Sequence, residues 1–511
     1  MTSGALPNEI LTTAEMARAD RLAIASGVPS MRLMENAAAA LADTVSRMLQ
    51  KSSGRRVLVL CGPGNNGGDG YVAARLLRAS RMKVRVGALT PRENLRGDAL
   101  AAATAWDGPV EPAETSALRG ADIVIDALFG GGLSRDIEGD AAVLIRRLNH
   151  WRRENGTRVV AVDMPSGIDG STGAVRGVAV EADQTVTFFR LKIGHLLLPG
   201  RLHCGKTICA HIGIRSNVLD EIAPKTFLNA PGAWLHELRP PRVDGHKYSR
   251  GHAVVLSGGA SFTGAARIAA QAALRAGAGL VTLASPRDAL AVNAPALTSV
   301  MLREAEGPEG LVALLADVRK NVVAMGPGLG VGPGTQALVE AALTTAGDAR
   351  APRRFVFDAD ALTSFSGDPE RLWRVLRAAP GRVVLTPHAG EFQRLFGDVG
   401  AVSKLERARE AARRAGAIVL FKGPDTVVAA PDGRATILAE ASPWLATAGS
   451  GDSLTGIVAG LLAQGVEPLA AASCAAWMHA RAAAHFGPGL VADDIAATLP
   501  QVWRELVAAA G

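Results

Sequence analysis

The sequence predicts an α/β protein built from two parallel-sheet units joined near its middle, and three observations predict it. Short Val-, Leu- and Ile-rich runs alternate with Ala-rich helical stretches along most of the chain. Gly-rich turns and carboxylates follow several of those runs. The alternation lapses between Ile214 and Lys247, where Pro224, Pro231, Pro240 and Pro241 fall. At 511 residues, and roughly 100–200 residues per domain, two to four domains are expected. The apolar share of 48 % excludes wholesale disorder. With aromatics at only 4 %, the cores must come from Ala, Val, Leu and Ile.

Taken in order, Thr12 to Glu15 reads as a capping box opening a helix through Met16 and Ala19. A second helix follows Pro29, through Leu33, Met34 and Ala37 to Leu41. Arg56–Cys61 is the first strand, and a helix is expected over Gly70–Ala79. Further strands are expected at Val84–Leu89, Ile123–Ala127, Val159–Val162 and Gln184–Phe188. The lapse places a linker at 218–245, leaving domains 1–217 and 246–511. The second domain opens with a strand at His252–Ser257. Others are expected at Leu280–Ala284, Val322–Met325, Phe355–Phe357, Val383–Thr386 and Ile418–Phe421. The helix after Asp452 is apolar on most sides and therefore buried.

Composition narrows the function classes. The net charge of +7 comes without a basic run or basic–aromatic interleaving, so no nucleic-acid partner is expected. Four scattered cysteines (Cys61, Cys204, Cys209, Cys474) make neither a disulfide framework nor a zinc site. No apolar run of about 18 residues is unbroken, so no membrane span is expected. A soluble, reduced, cytoplasmic protein acting on small molecules fits these features.

In open α/β sheets, ligands bind outside the carboxyl ends of the strands. Three polar clusters stand there in the first half. Gly62-Pro-Gly-Asn65-Asn66-Gly67-Gly68-Asp69-Gly70 carries five glycines before a helix, which lets backbone approach an anionic ligand. It matches neither a Walker A motif nor the usual dinucleotide fingerprint. Asp126 closes a strand before Gly130-Gly131-Gly132-Leu133-Ser134-Arg135-Asp136. Asp163 closes another, with Ser166 three residues on. Any one of these could be a turn or helix cap; three together point to a shared site. Oxygens from Asn66, Asp126 and Ser166 suit a hard cation. Lys192, at a further strand end, is either an acid–base partner of Asp163 or a solvated surface lysine.

In the second half, Thr447-Ala448-Gly449-Ser450-Gly451-Asp452 opens the apolar helix. A helix N-terminus attracts phosphate, and Asp452 would repel it. The carboxylate makes sense as a base that takes a proton from a hydroxyl attacking a phosphoryl group; the alternative is an N-cap. Lys422-Gly423-Pro424-Asp425-Thr426 follows a strand and suits nucleotide phosphates. His388 and Glu391 sit after another strand, Asp358 and Asp360 after a third, and Gly326-Pro-Gly328-Leu-Gly330 after a fourth.

The first-half motifs, in this order, resemble the NAD(P)H-hydrate epimerase family over about residues 8–215. That resemblance implies a Rossmann-like three-layer domain. It implies substrate contacts from Asn65 to Asp69, from Gly130 to Asp136 and from Asp163. Potassium would lie on Asn66, Asp126 and Ser166, and Asp163, with Lys192, would move protons. The second-half motifs, over about residues 230–508, resemble the ADP/ATP-dependent NAD(P)H-hydrate dehydratases, a ribokinase-like branch. They imply hydrate contacts from Ala265, Gly328, His388 and Asp452, and adenine-nucleotide contacts from Lys422 to Thr426 and Gly451. Magnesium would accompany the nucleotide. Ala448 stands where that family often has Gly.

Together the halves resemble the bifunctional NAD(P)H-hydrate repair enzymes. The first half would interconvert R and S hydrates of NADH and NADPH. The second would dehydrate the S form with ADP, giving AMP and phosphate. A homo-oligomer is implied by the resemblance alone. Two other readings stand beside it: a small-alcohol kinase in the second half, and a non-catalytic binding module in the first.

Overall fold

The computed structural model describes residues 8–50, 55–239, 243–347 and 352–510. Pro240 and Pro241, expected in the linker, lie outside them. The chain divides into two compact units, 1–226 and 227–511.

The strands of the first unit are β1 (Ile10–Leu11), β2 (Arg56–Cys61), β3 (Lys83–Ala88), β4 (Val110–Pro112), β5 (Ile123–Ala127), β6 (Arg158–Val162), β7 (Gln184–Phe188), β8 (Leu191–Lys192) and β9 (Lys206–Ala210). Seven form one parallel sheet in the order β4-β3-β2-β5-β6-β7-β9. β1 and β8 pair in parallel by themselves, Leu11 opposite Lys192. Alternation along β2 makes the layers. Val57 and Val59 face a core shared with α1 (Thr13–Ala25), α2 (Ser30–Leu49) and α3 (Asn65–Ala79). Leu58 and Leu60 face the other core, against the helix Gly139–Asn155. The result is the three-layer α/β domain expected. Strand order reverses between β2 and β5, which opens a crevice beyond their carboxyl ends.

α3 begins at Asn65, five residues before the expected Gly70, so the Asn-Asn-Gly-Gly-Asp run is its first turns rather than a loop. The glycines permit this by close approach. A Cβ at Gly67 would overlap the Gly62 carbonyl, and one at Gly68 would press on the Met34 side chain.

The second unit holds β10 (Thr226–Leu228), β11 (His252–Leu256), β12 (Leu280–Ser285), β13 (Met301–Glu304), β14 (Val322–Met325), β15 (Arg354–Phe357), β16 (Val383–Leu385), β17 (Ile418–Phe421), β18 (Val427–Ala429) and β19 (Ala435–Ile437). Their order is β10-β19-β18-β17-β16-β15-β14-β11-β12-β13. Neighbours from β17 to β13 run parallel, and β17, β18 and β19 form an antiparallel edge. The reversal here falls between β11 and β14. The helix Ser450–Ala463 is buried from Ser453 to Ala463. It crosses the helix Gly264–Arg275 closely, because Gly456 and Gly460 meet the carbonyl oxygens of Ala269 and Ala273 where any Cβ would clash.

The Pro-rich composition of 218–245 reads as linker, yet much of that segment is packed. Val218, Leu219 and Ile222 join the first unit's core, and β10 is the edge of the second sheet. Trp234 is 1 % exposed, donating from Nε1 to Asn229 Oδ1 at 2.9 Å. The apolar residues are spaced too widely there for sequence periodicity to reveal them.

Candidate active sites

The crevice of the first unit is a cavity of about 580 Å³. α1 lines it with Met16, Asp20 and Ile24, α3 with Asn65, Asn66 and Asp69, and the segments at the strand ends supply Gly130 to Leu133, Arg135, Asp163 and Lys192. Asp163 directly follows β6, in left-handed backbone at φ 63°. That strained conformation is rare for a side-chain-bearing residue and is held in place by its neighbours. His195 Nδ1 accepts from Lys192 N at 2.9 Å, so Nε2 carries the hydrogen and donates to Asp163 O at 2.8 Å. Burial pushes the His195 imidazole down to about 4, which keeps it neutral.

Lys192 is 2 % exposed and places Nζ 2.6 Å from Asp163 Oδ1 and 2.8 Å from Thr187 Oγ1. Thr187 Oγ1 donates to the same carboxylate oxygen at 3.0 Å, and Gly131 N donates to Oδ2 at 3.3 Å. Burial alone would raise the Asp163 carboxyl, but Lys192 and the hydrogen bonds outweigh it and hold it below its ordinary value. Asp69 and Asp20 move the other way. Burial and then the Asp163 charge push Asp69 well up. Burial, opposed by Lys192, lifts Asp20 to about 6. One cavity thus holds a carboxylate held below its ordinary value beside two carboxyls raised above theirs.

Asp126 is fully buried at the end of β5. Ser166 donates to it from Oγ at 2.5 Å and from N at 2.8 Å. Phe129 N donates to Ser166 Oγ at 2.8 Å. Among the described residues no cation pairs with Asp126, and burial raises its carboxyl to about 6. Asn66 Nδ2 is buried without a hydrogen-bond partner, and Asn66 Oδ1 faces Gly130. An uncompensated buried carboxylate among neutral oxygens has the chemistry of a hard-cation site.

In the second unit, Asp358 ends β15 and is 1 % exposed. Lys422 Nζ lies 2.7 Å from Asp358 Oδ1 and 3.8 Å from Glu391 Oε2. Thr455 Oγ1 donates to Asp358 Oδ2 at 2.7 Å. Burial works against the Lys422 charge, but Asp358, Glu391 and Asp452 outweigh it and raise its pKa. Asp452 lies in the first turn of its helix, after Gly449 at φ 81°. Burial, then the Asp358 charge, lifts its carboxyl to about 6. His479 donates from Nε2 to Ser450 O at 2.8 Å and is held neutral by burial, at about 4, so it anchors the loop.

His388 caps the helix Ala389–Phe396, Nδ1 accepting from Gly390 N at 2.9 Å. Its Nε2 faces Glu391 Oε1 at 3.3 Å. In the Lys422–Thr426 loop, Asp425 pairs with Lys404 at 2.7 Å, and Thr426 Oγ1 donates to Gly423 O at 2.7 Å. Among the described residues no group of three His, Cys, Asp or Glu is arranged to hold a metal.

Comparison with known proteins decides the family. A model described as YjeF-related protein N-terminus matches residues 30–194, and one described as NAD(P)H-hydrate dehydratase matches 253–501. The chain is 38 % identical to the bifunctional NAD(P)H-hydrate repair enzyme of Moorella thermoacetica, over 97 % of both chains. It is 39 % identical to that of Pyrobaculum aerophilum, over 97 % of this chain and 98 % of the relative. The chain belongs to this family. Its first unit is the NAD(P)H-hydrate epimerase unit and its second the dehydratase unit. The solved ADP/ATP-dependent NAD(P)H-hydrate dehydratase of Bacillus subtilis, co-crystallised with ATP and Mg2+, is 26 % identical. It covers 55 % of this chain and 98 % of its own, with a TM-score of 0.45.

Within the epimerase unit, Asn65, Asn66, Asp69, Gly130, Gly131, Gly132, Leu133, Arg135, Asp163 and Lys192 line one cavity. Gly67 and Gly68 are buried in the first turns of α3, and Ser134 and Asp136 are exposed outside the lining. The sequence reading missed Thr187 and His195, which hold Asp163 and Lys192, and missed α1. Met16, Asp20 and Ile24 recur every fourth residue, and a carboxylate between two apolar residues on one helical face was the available signal. In the dehydratase unit, Lys422, Asp452, Gly451 and His388 gather around Asp358 and Glu391. Ala265 and Gly328 approach each other across the turn at Phe262. A separate cavity of about 420 Å³, lined by Ser257, Gly258, Glu306 and Gly330 to Thr335, takes in Leu329 and Gly330 of the expected glycine turn but not Ala265, Gly328, His388, Lys422 or Asp452.

Proposed function

We propose that the epimerase unit interconverts R and S hydrates at Asp163, and that the dehydratase unit restores the S hydrate with magnesium-ADP through Asp452. The observation that supports the first is the Asp163 carboxylate, kept ionised by buried Lys192 beside two carboxyls whose pKa burial raises. Pairs of acids pushed apart in this way divide acid and base roles. The hydrate carries its hydroxyl on the carbon beside the ring nitrogen. Loss of that hydroxyl as water leaves a planar cation, and water returning to the other face inverts the centre. Asp163 stabilises the cation and takes the proton of the returning water. Asn65, Asp69 and the Gly130–Arg135 loop hold the nucleotide around it. Asn66, Asp126 and Ser166 would hold potassium, which supplies the positive charge that the buried Asp126 lacks.

In the dehydratase unit Asp452 takes the proton of the ring hydroxyl, and the oxygen attacks the terminal phosphoryl of ADP. AMP departs, the phosphate ester is eliminated with a ring proton, and the reduced nicotinamide is restored. Lys422 and the backbone N–H groups at Gly451 stabilise the transferred charge. Magnesium characteristically rides on substrate phosphates with one or two carboxylates; Asp358 and Glu391, flanking Lys422, are those it would meet.

The test mixes the purified chain with racemic NADH hydrate and ADP, ATP or neither, and follows the reduced-nicotinamide absorbance. Full recovery with ADP is expected. Recovery stopping near half removes the epimerase role. A stable phosphorylated product without recovery favours a small-alcohol kinase.

A further inference from the structure

We propose that Asp20 is a second catalytic residue of the epimerase site, exchanging a proton with the ring hydroxyl from the α1 wall while Asp163 works from the strand ends. This rests on the epimerase reading of the unit. Epimerisation requires proton exchange on both faces of one carbon, because water leaves from one and returns to the other. A single carboxylate fixed at φ 63°, with one oxygen bonded to Lys192 and Thr187 and the other to Gly131 N, serves one face. Asp20 lines the same cavity from a different element, between Met16 and Ile24 on one face of α1. Among the described residues no hydrogen bond or ion pair reaches its carboxyl. The charged groups around it are Lys192, Asp163 and Arg21, with Asp69, Asp98 and Arg135 on the same cavity.

The fold fixes α1 there by means unrelated to substrate. Thr12 closes a capping box with Glu15. Thr13 Oγ1 lies 2.8 Å from Ser171 Oγ, and β1 pairs in register with the strand that carries Lys192. Asp20 therefore meets the cavity at a set depth. In the forward direction protonated Asp20 gives its proton to the hydroxyl, the C–O bond breaks, and the nitrogen lone pair forms the C=N bond. A water molecule then adds to the opposite face and passes its proton to Asp163. The reverse turnover exchanges the roles, and both carboxyls reset with solvent through the open cavity.

The test uses the full chain and purified R hydrate, with appearance of the S form read by chiral separation. Wild-type conversion establishes the epimerase reading separately. Asp20→Asn should then lower kcat at least about a hundredfold, the range of general acid–base catalysis, with KM little changed. An unchanged melting transition reports that the variant chain is folded, and ADP-dependent dehydration of the S hydrate, carried out by the other unit, should be unaltered. Asp20→Ala should recover at least about tenfold with added formate, a small acid that replaces the missing carboxyl. Wild-type kcat in Asp20→Asn overturns the proposal. So does a loss that appears in KM and is not rescued by formate, or formate rescue of Asp69→Ala in place of Asp20→Ala.

Discussion

Lys192 Nζ and Asp163 Oδ1 lie 2.6 Å apart, and the lysine side chain is 2 % exposed. A buried pair of this kind is poor evidence for net stability, but removing one partner strands the other. Lys192→Met should therefore destabilise the chain by on the order of 3 kcal/mol, read as a lower urea midpoint. It should also move the epimerase pH profile. Asp163 is the group that Lys192 holds below its ordinary value; without Lys192, burial dominates and its pKa rises. The ionised base is then lost at a higher pH, so the acid limb shifts upward. An unshifted acid limb would show that Asp163 is not the titrating base.

Asp452 carries the opposite shift, with its carboxyl raised to about 6. As a base it works when ionised, so dehydratase kcat should fall about tenfold per pH unit below 6. Its linkage to stability has the reverse sign. A group that binds its proton more tightly when folded contributes stability below its unfolded pKa, and that contribution is lost as pH rises through 6. Asp452→Asn should abolish dehydration, leave R-to-S conversion intact and raise the unfolding free energy at pH 8 by on the order of 1 kcal/mol, read as a higher urea midpoint. Retained dehydration in this variant removes Asp452 as the base.

Gly456 and Gly460 set the depth of the helix that carries Asp452. A Cβ at Gly456 would overlap the Ala269 carbonyl oxygen, and backbone cannot yield as a side-chain end can. Gly456→Ala should cost about 1–3 kcal/mol or more, typical of overpacking, and should lower dehydratase kcat by displacing Asp452. Epimerase kcat, measured on the same preparation, should be unaltered. A thermal scan and the two rate assays check this.

What the sequence made legible was the centre of each sheet. β2, β5, β6 and β15 are continuous apolar runs because both faces are covered, and the carboxylates Asp126, Asp163 and Asp358 mark where each run ends. The edges were not legible. β4, β9 and β13 carry exposed or half-exposed residues such as Glu111, Lys206 and Arg303, so no apolar run announces them. Nor can spacing reveal pairings between distant segments. Leu11 opposite Lys192, Thr455 on Asp358 and His195 under Asp163 are consequences of topology. For the same reason Asp20 goes unmarked in the sequence, its charged neighbours across the cavity, Asp163 and Lys192, lying more than a hundred residues away along the chain.

Asp126 supplies the last prediction, because its burial is costly unless something positive is bound nearby. Its oxygens take hydrogen bonds from Ser166 and Leu128 N, none of them charged. Potassium held there with Asn66 and Ser166 should stabilise the folded chain by mass action. Replacing potassium with a tetraalkylammonium ion, too large for the site, should lower both the melting temperature and epimerase kcat. Asp126→Asn keeps the shape and removes the charge. It should lose the potassium response in both readouts, and dehydration of the S hydrate should be unchanged. If the variant still gains stability with potassium, the ion acts elsewhere. Asp126 would then be a carboxyl that stays protonated below its raised pKa and serves only to hold the Ser166 turn against Phe129.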